Sequence, residues 1–162
     1  MLFRSAILCT EEFLLRIDAL NEDDLVRLLA RVDALQKFLS TEDGADLLVA
    51  YRRASNIVSI EERRDGRSYN EPIDPALLRQ PEEEALYHRL SAMSETLESF
   101  LRQEEFGRVM ERLATLRGPV DEFFDKVTVN VEDKTLRENR LRLLSRIRAV
   151  MNQVADFSQI EG

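Results

Sequence analysis

The residues best equipped for chemistry in this sequence are arginines. Between Lys134 and Arg148 stand Lys134, Arg137, Arg140, Arg142, Arg146 and Arg148 against the single acid Glu138. That run carries +5 in a chain whose net charge is −8, so the remaining residues sum to −13. A guanidinium grips phosphate through its forked N–H donors and stacks on flat bases. Segregated positive charge therefore marks a candidate polyanion contact even in an acidic protein. At about 100° per residue, Arg137 and Arg148 share one flank of a helix, with Lys134 just beyond them. They lie about 16 Å apart along the axis, a reach suited to several nucleotides. Arg142 and Arg146, one turn apart, occupy the other flank. Arg140 projects from within the apolar face of Leu136, Leu143, Leu144, Ile147, Val150, Met151 and Val154. A guanidinium placed there needs a carboxylate or several carbonyls to offset its desolvation. The nearest acids in sequence are Asp121 and Asp125, which predicts a structural ion pair.

A second polar group falls on the segment after Thr41. With Leu47, Tyr51, Ala54 and Val58 turned inward, Arg52, Arg53 and Asn56 face the opposite way, and Arg63, Arg64 and Arg67 follow. Arginine suits phosphate and base stacking, and asparagine suits a base edge, so Arg52, Arg53, Asn56, Lys134, Arg137 and Arg148 are the candidate RNA contacts. The plainer alternative for both faces is a solvated helix surface with weak ion pairs.

Other chemistries find little support. One histidine (His88) and one cysteine (Cys9) make neither a zinc cluster nor an internal disulfide, which fits a reducing cytosol. His88 falls on the exposed side of its helix, and Cys9 reads as small apolar filler. There is no Gly-rich phosphate loop, nucleophile elbow or H-E-x-x-H pair, so the expectation is no catalytic, cofactor or metal site. Glu82–Glu84 and Glu22–Asp24 read as helix starts. No run approaches the ~18 apolar residues of a membrane span, and MLFRSAILC is too short and weakly basic for a signal peptide.

The elements that must position these groups are helices. The 162 residues, 44% of them apolar, suit a single domain, and five glycines with four prolines leave long unbroken stretches. Leu25, Leu28, Leu29, Val32, Leu35 and Leu39 repeat at helical spacing after a possible cap at Asn21. Leu47 to Val58 does so after Thr41, and Leu86, Leu90, Met93, Leu97, Phe100 and Leu101 do so after Pro81. Phe13, Leu14, Ile17 and Leu20 form an earlier amphipathic stretch. A short helix carries Phe106, Met110 and Leu113, and Gly118-Pro119 opens another with Phe123 and Phe124. Asp133 caps a last helix reaching about Phe157. Residues 62 to 81, with three of the four prolines, read as an internal surface loop of the length that is often functional. The fold class is all-α, a helical bundle over residues 1–162.

The C-terminal stretch GPVDEFFDKVTVNVEDKTLRENRLRLLSRIRAVMNQVADFSQI resembles the end of the β subunits of bacterial glycyl-tRNA synthetases. Pro119, Phe123, Phe124, Val127 and Val129 match that family's phenylalanine-pair segment. Arg137, Asn139, Arg140, Leu141 and Leu144 match its arginine-asparagine-arginine-leucine segment, and Ala155-Asp156 its near-terminal pair. YRRASNI at 51–57 and ARVDALQKFLSTEDGADLL at 30–48 resemble it as well, so the likeness covers about residues 22–160. The resemblance implies the helical anticodon-binding fold shared with arginyl-tRNA synthetase, docking the anticodon stem-loop of tRNA-Gly in the cytoplasm. It implies as partners the rest of the β subunit and an α subunit holding the ATP-using catalytic core, with no cofactor in this piece and no membrane. Two alternatives remain: a helical protein–protein interaction module using its arginine faces, and an arginyl-tRNA synthetase domain, although the methionine-rich ending of the latter is missing.

Overall fold

Thr41 sits between two helices because its hydroxyl can do what the backbone there cannot. Its Oγ1 accepts a hydrogen bond from Gly44 N at 3.1 Å, capping the second helix, and Glu42 and Asp43 add negative charge to that helix's first turn. The corner is tight. A Cβ on Gly44 would stand 2.0 Å from the Phe38 carbonyl oxygen, so only glycine lets the two helices meet this way.

The computed structural model describes residues 22–160. Six α-helices run in order: α1 Glu22–Leu39, α2 Glu42–Asp65, α3 Pro81–Arg102, α4 Phe106–Ala114, α5 Arg117–Lys126 and α6 Lys134–Asn152. Single 3₁₀ turns lie at Pro75–Leu77 and Phe157–Gln159, and no strand occurs among the described residues. The start of α1 at Asn21, the amphipathic stretch before residue 20, and Cys9 lie outside the described residues.

The apolar stripes read from the sequence are the ones that pack. Leu47, Tyr51, Ala54 and Val58 of α2 are buried against Leu143, Leu144, Ile147, Val150 and Met151 of α6, the most extensive helix pair. Leu86, Leu90, Met93 and Leu97 of α3 close the core with Leu113 of α4 and Phe123 of α5. Each of the Val, Leu, Ile, Phe and Met side chains among them, taken out of water, contributes about 1.5–3 kcal/mol. In the outer helix α1 the stripe is only partly covered, because Leu29 remains exposed while Leu35 and Leu39 are buried.

Three boundaries differ from the sequence reading. Helix α2 continues past residue 62 to Asp65 and stops at Gly66, whose left-handed backbone (φ 65°) sends its N–H to the Glu62 carbonyl. The basic pair Arg63 and Arg64 stabilises that last turn through the helix dipole. Helix α5 starts at Arg117, with Gly118 and Pro119 inside its first turn. Helix α6 ends at Asn152, and the chain then folds back so that Phe157 and Ile160 are buried.

Candidate nucleic-acid interface

Arg140 is buried, as its place in the apolar face of α6 requires, but its partner is neither Asp121 nor Asp125. Its Nε donates to Glu83 Oε1 at 2.8 Å and its Nη1 to the Thr128 carbonyl at 2.7 Å. Glu83, with no exposed surface, also accepts from the backbone N–H groups of Arg79 and Gln80, each at 2.9 Å. Burial pushes the Glu83 carboxyl pKa upward, yet Arg140 and the two amides outweigh it and hold the pKa below its ordinary value. Asp121 instead pairs with Arg117, which also holds Asp43 and Asp46, and Asp125 is exposed. The partner of Arg140 thus stands on a different helix from Asp121 and Asp125: Glu83 reaches it across the bundle from the first turn of α3.

The flank holding Arg137 and Arg148 faces α2 and its acids. Arg137 Nη2 bonds Asp65 Oδ2 at 2.8 Å and contacts Glu61, while its Nε donates to Asn130 Oδ1 at 3.1 Å. Burial lowers the Arg137 pKa, and the bonds to Asp65 and Glu61 more than reverse that, leaving it raised. Arg148 Nη2 pairs with Glu62 Oε1 at 3.5 Å. These two arginines join α6 to α2, and the expected row of phosphate contacts is engaged in the fold. Arg52 donates to the carbonyl of Ile160. The Arg53 guanidinium lies 4.4 Å from the ring centroid of Phe124, while Asn56 and Lys134 are exposed. Of the six expected RNA contacts, Arg52, Arg137 and Arg148 are thus engaged within the fold, Arg53 stacks on Phe124, and Asn56 and Lys134 face solvent.

A concavity does form on the other flank of α6. The loop after α2 is anchored at two points. Tyr69 is buried, donating its hydroxyl to Asp65 Oδ2 at 2.5 Å and its backbone N–H to Glu62 Oε1 at 3.0 Å. Five residues on, the buried Asn139 side chain accepts from Asp74 N at 2.8 Å and donates to Asp74 O at 3.0 Å. The stretch between these anchors, Asn70 to Ile73, is held over α6 as one wall of a cavity of about 480 Å³. Tyr87 and Ser91 of α3 and Arg142, Ser145, Arg146 and Ala149 of α6 form the rest. Arg142 Nε is buried without a hydrogen-bond acceptor and lies 3.7 Å from Glu71 Oε2, too far for a hydrogen bond. Arg146 is exposed and forms no ion pair with a described residue.

Arg142, whose ion pair with Glu71 stops short of a hydrogen bond, the exposed Arg146, an aromatic ring and several short polar side chains around one hollow suit a nucleotide: cations for phosphate, a ring for stacking, polar groups for a base edge. The i, i+4 spacing of Arg142 and Arg146 was visible in the sequence. What the sequence lacked was any sign that the loop returns over them. Among the described residues no group of three or more His, Cys, Asp or Glu could hold a metal ion, and no helix is long and apolar enough to cross a membrane.

Residues 47–161 match the model of the DALR anticodon binding domain. The chain is 59% identical over 143 residues to the glycine–tRNA ligase beta subunit of Rhodospirillum centenum, covering 88% of this chain and 20% of that protein. It is 50% identical over 144 residues to the same subunit of Phenylobacterium zucineum, covering 89% and 21%, and 44% identical over 142 residues to that of Ruegeria sp., covering 88% and 21%. The chain thus spans about a fifth of the length of the curated relatives it matches.

Proposed function

The chain belongs to the DALR anticodon-binding domain family, and from that premise we propose that it docks the anticodon stem-loop of tRNA-Gly. It does so as part of the β subunit of a glycine–tRNA ligase, in the cytoplasm, with the ATP-dependent chemistry carried by an α subunit. The observation that carries this reading is the family match, which contains the whole cavity between the 70–73 loop and α6.

The physical case is one of selection among arginines. Those that join helices have their N–H donors directed at carboxylates or carbonyls, so phosphate would have to compete with an existing partner. Arg146 forms no ion pair with a described residue and Arg142 meets Glu71 without a hydrogen bond, so both have donors to offer, and RNA loops expose unstacked bases and phosphates that such groups can hold. The curated names of the relatives favour the glycine enzyme over an arginyl-tRNA synthetase. The engaged state of Arg137 and Arg148 removes the main surface a protein-binding reading would have used. The test is titration of the 162-residue chain with labelled tRNA-Gly and with a tRNA of different anticodon. Tighter binding of tRNA-Gly is expected; equal binding, or none, overturns the assignment.

A further inference from the structure

We propose that the groove between α1 and α4 seats a helix from the part of the β subunit outside this chain, an amphipathic helix whose apolar stripe is flanked by lysine and arginine. The inference rests on the reading of this chain as a piece of that subunit. It adds a docking surface that shares no residue with the cavity beside α6. The groove has a volume of about 580 Å³ and an apolar floor, lined by the buried Phe38 and Met110 and the half-buried Phe106. Its walls are low, because Ala30 and Ala34 of α1 and Gly107 of α4 present little or no side chain to it. Nothing inside the described fold requires glycine at 107: a Cβ there would meet no atom within 4 Å, and its backbone is not left-handed. A helix is less stable with glycine than with alanine, and what glycine permits is the close approach of another backbone. One turn before Ala30, Val26 continues the apolar line in the open, at 61% exposure. From Val26 to Ala34, α1 offers about 12 Å of such surface, enough to meet a second helix through its i, i+4 and i+7 side chains.

The rim determines the charge of the occupant. Asp33 and Glu104 are matched by Lys37 and Arg27, at 2.9 and 2.7 Å. Glu111 forms no ion pair with a described residue, and Asp43 shares the single guanidinium of Arg117 with Glu42, Asp46 and Asp121. Four carboxylates around one guanidinium leave negative charge in excess. An occupant bearing lysine and arginine offsets that excess, whereas one bearing acids is repelled. Two occupants available from this chain fail on that ground: residues 11–20 hold Glu11, Glu12 and Asp18 against Arg16, and a second copy brings a net charge of −8. This chain covers 20% of one curated relative and 21% of another, so most of such a subunit lies outside it, and the basic helix is assigned to that remainder.

The experiment compares the 162-residue chain with the full-length β subunit that contains it. Hydrogen exchange is followed at residues 26–38 and 106–114 in both. In the full-length subunit these amides should exchange about tenfold more slowly, because a packed helix suppresses local opening. A carbodiimide, which joins a carboxylate directly to a lysine amine, should connect Glu111 or Glu104 to a lysine outside the 162 residues. With arginines alone at the flanks no cross-link forms, and the exchange comparison decides. Gly107→Trp fills the groove. In the 162-residue chain the new ring enters open space, so the melting temperature should stay within about 2 °C and tRNA-Gly binding within about twofold. In the full-length subunit the same change should abolish both the added protection and the cross-link. Equal exchange in the two proteins, a cross-link only to a second copy or within the chain, or protection that survives Gly107→Trp overturns this inference. None of these outcomes touches the tRNA-docking reading, which stands or falls on the tRNA-Gly titration of the chain itself.

Discussion

Arg140 and Glu83 are the residues whose loss should be felt most in the fold. Breaking a buried ion pair from one side strands the other charge, at a cost of about 3–5 kcal/mol. Arg140→Met should therefore shift the urea midpoint strongly, whereas Arg146→Ala, at an exposed position, should change stability by no more than about 0.5 kcal/mol. The same pair predicts a pH dependence. The folded-state pKa of Glu83 lies below its ordinary value, so the unfolded chain takes up the proton first as pH falls. The stabilisation is complete above the ordinary carboxylate range, near pH 4, and is lost as pH drops through the lower folded value. Asp65, lowered by its bonds to Tyr69 and Arg137, acts in the same direction. Urea melts of the native chain at stepwise lower pH should show stability falling below about pH 4, and the slope should flatten in Glu83→Gln; identical slopes would remove Glu83 from the account. That Arg140 needed a partner was legible from its place in an apolar stripe. Which partner was not, because Glu83 lies 57 residues away and in sequence looks like one more acid favouring a helix start.

At the scale of elements, helical periodicity was a reliable guide because core-facing positions repeat at 3.6 residues whatever the tertiary context. The stripes of α2, α3 and α6 were therefore readable, and so were the caps Thr41 and Asp133. The loop after α2 was readable as a break but not as a wall. Its path depends on Tyr69, an aromatic in a polar run, and on Asn139, which points from α6 to the Asp74 backbone. Asn139→Ala leaves a backbone N–H and carbonyl without their side-chain partner, a cost of about 2 kcal/mol. Amide exchange should accelerate across residues 70–78 in that variant while the α2–α6 core stays protected; unchanged exchange there would show that the loop is held by something else. Gly44→Ala should strain the corner between α1 and α2, because the new methyl group meets the Phe38 carbonyl, at a cost of about 2 kcal/mol by the measure of overpacked cores. A thermal melt as high as that of the unmodified chain would contradict this close approach.

For the whole molecule, the decisive matter is where positive charge is available to RNA in a chain of net charge −8. Counting charges along α6 favoured the flank of Arg137 and Arg148, since sequence gives no view of the acids that these two meet on α2. If about three phosphates are neutralised, the log–log salt dependence of binding should have a slope of roughly −2. The most direct test of the central claim reverses charge on one flank and compares it with an equal reversal elsewhere. Arg142→Glu with Arg146→Glu should weaken tRNA-Gly binding at least tenfold with the helical content intact. Arg102→Glu with Arg112→Glu, exposed at the end of α3 and on α4, should weaken it no more than about twofold. Equal losses from the two pairs, or no loss from the first, would contradict the account.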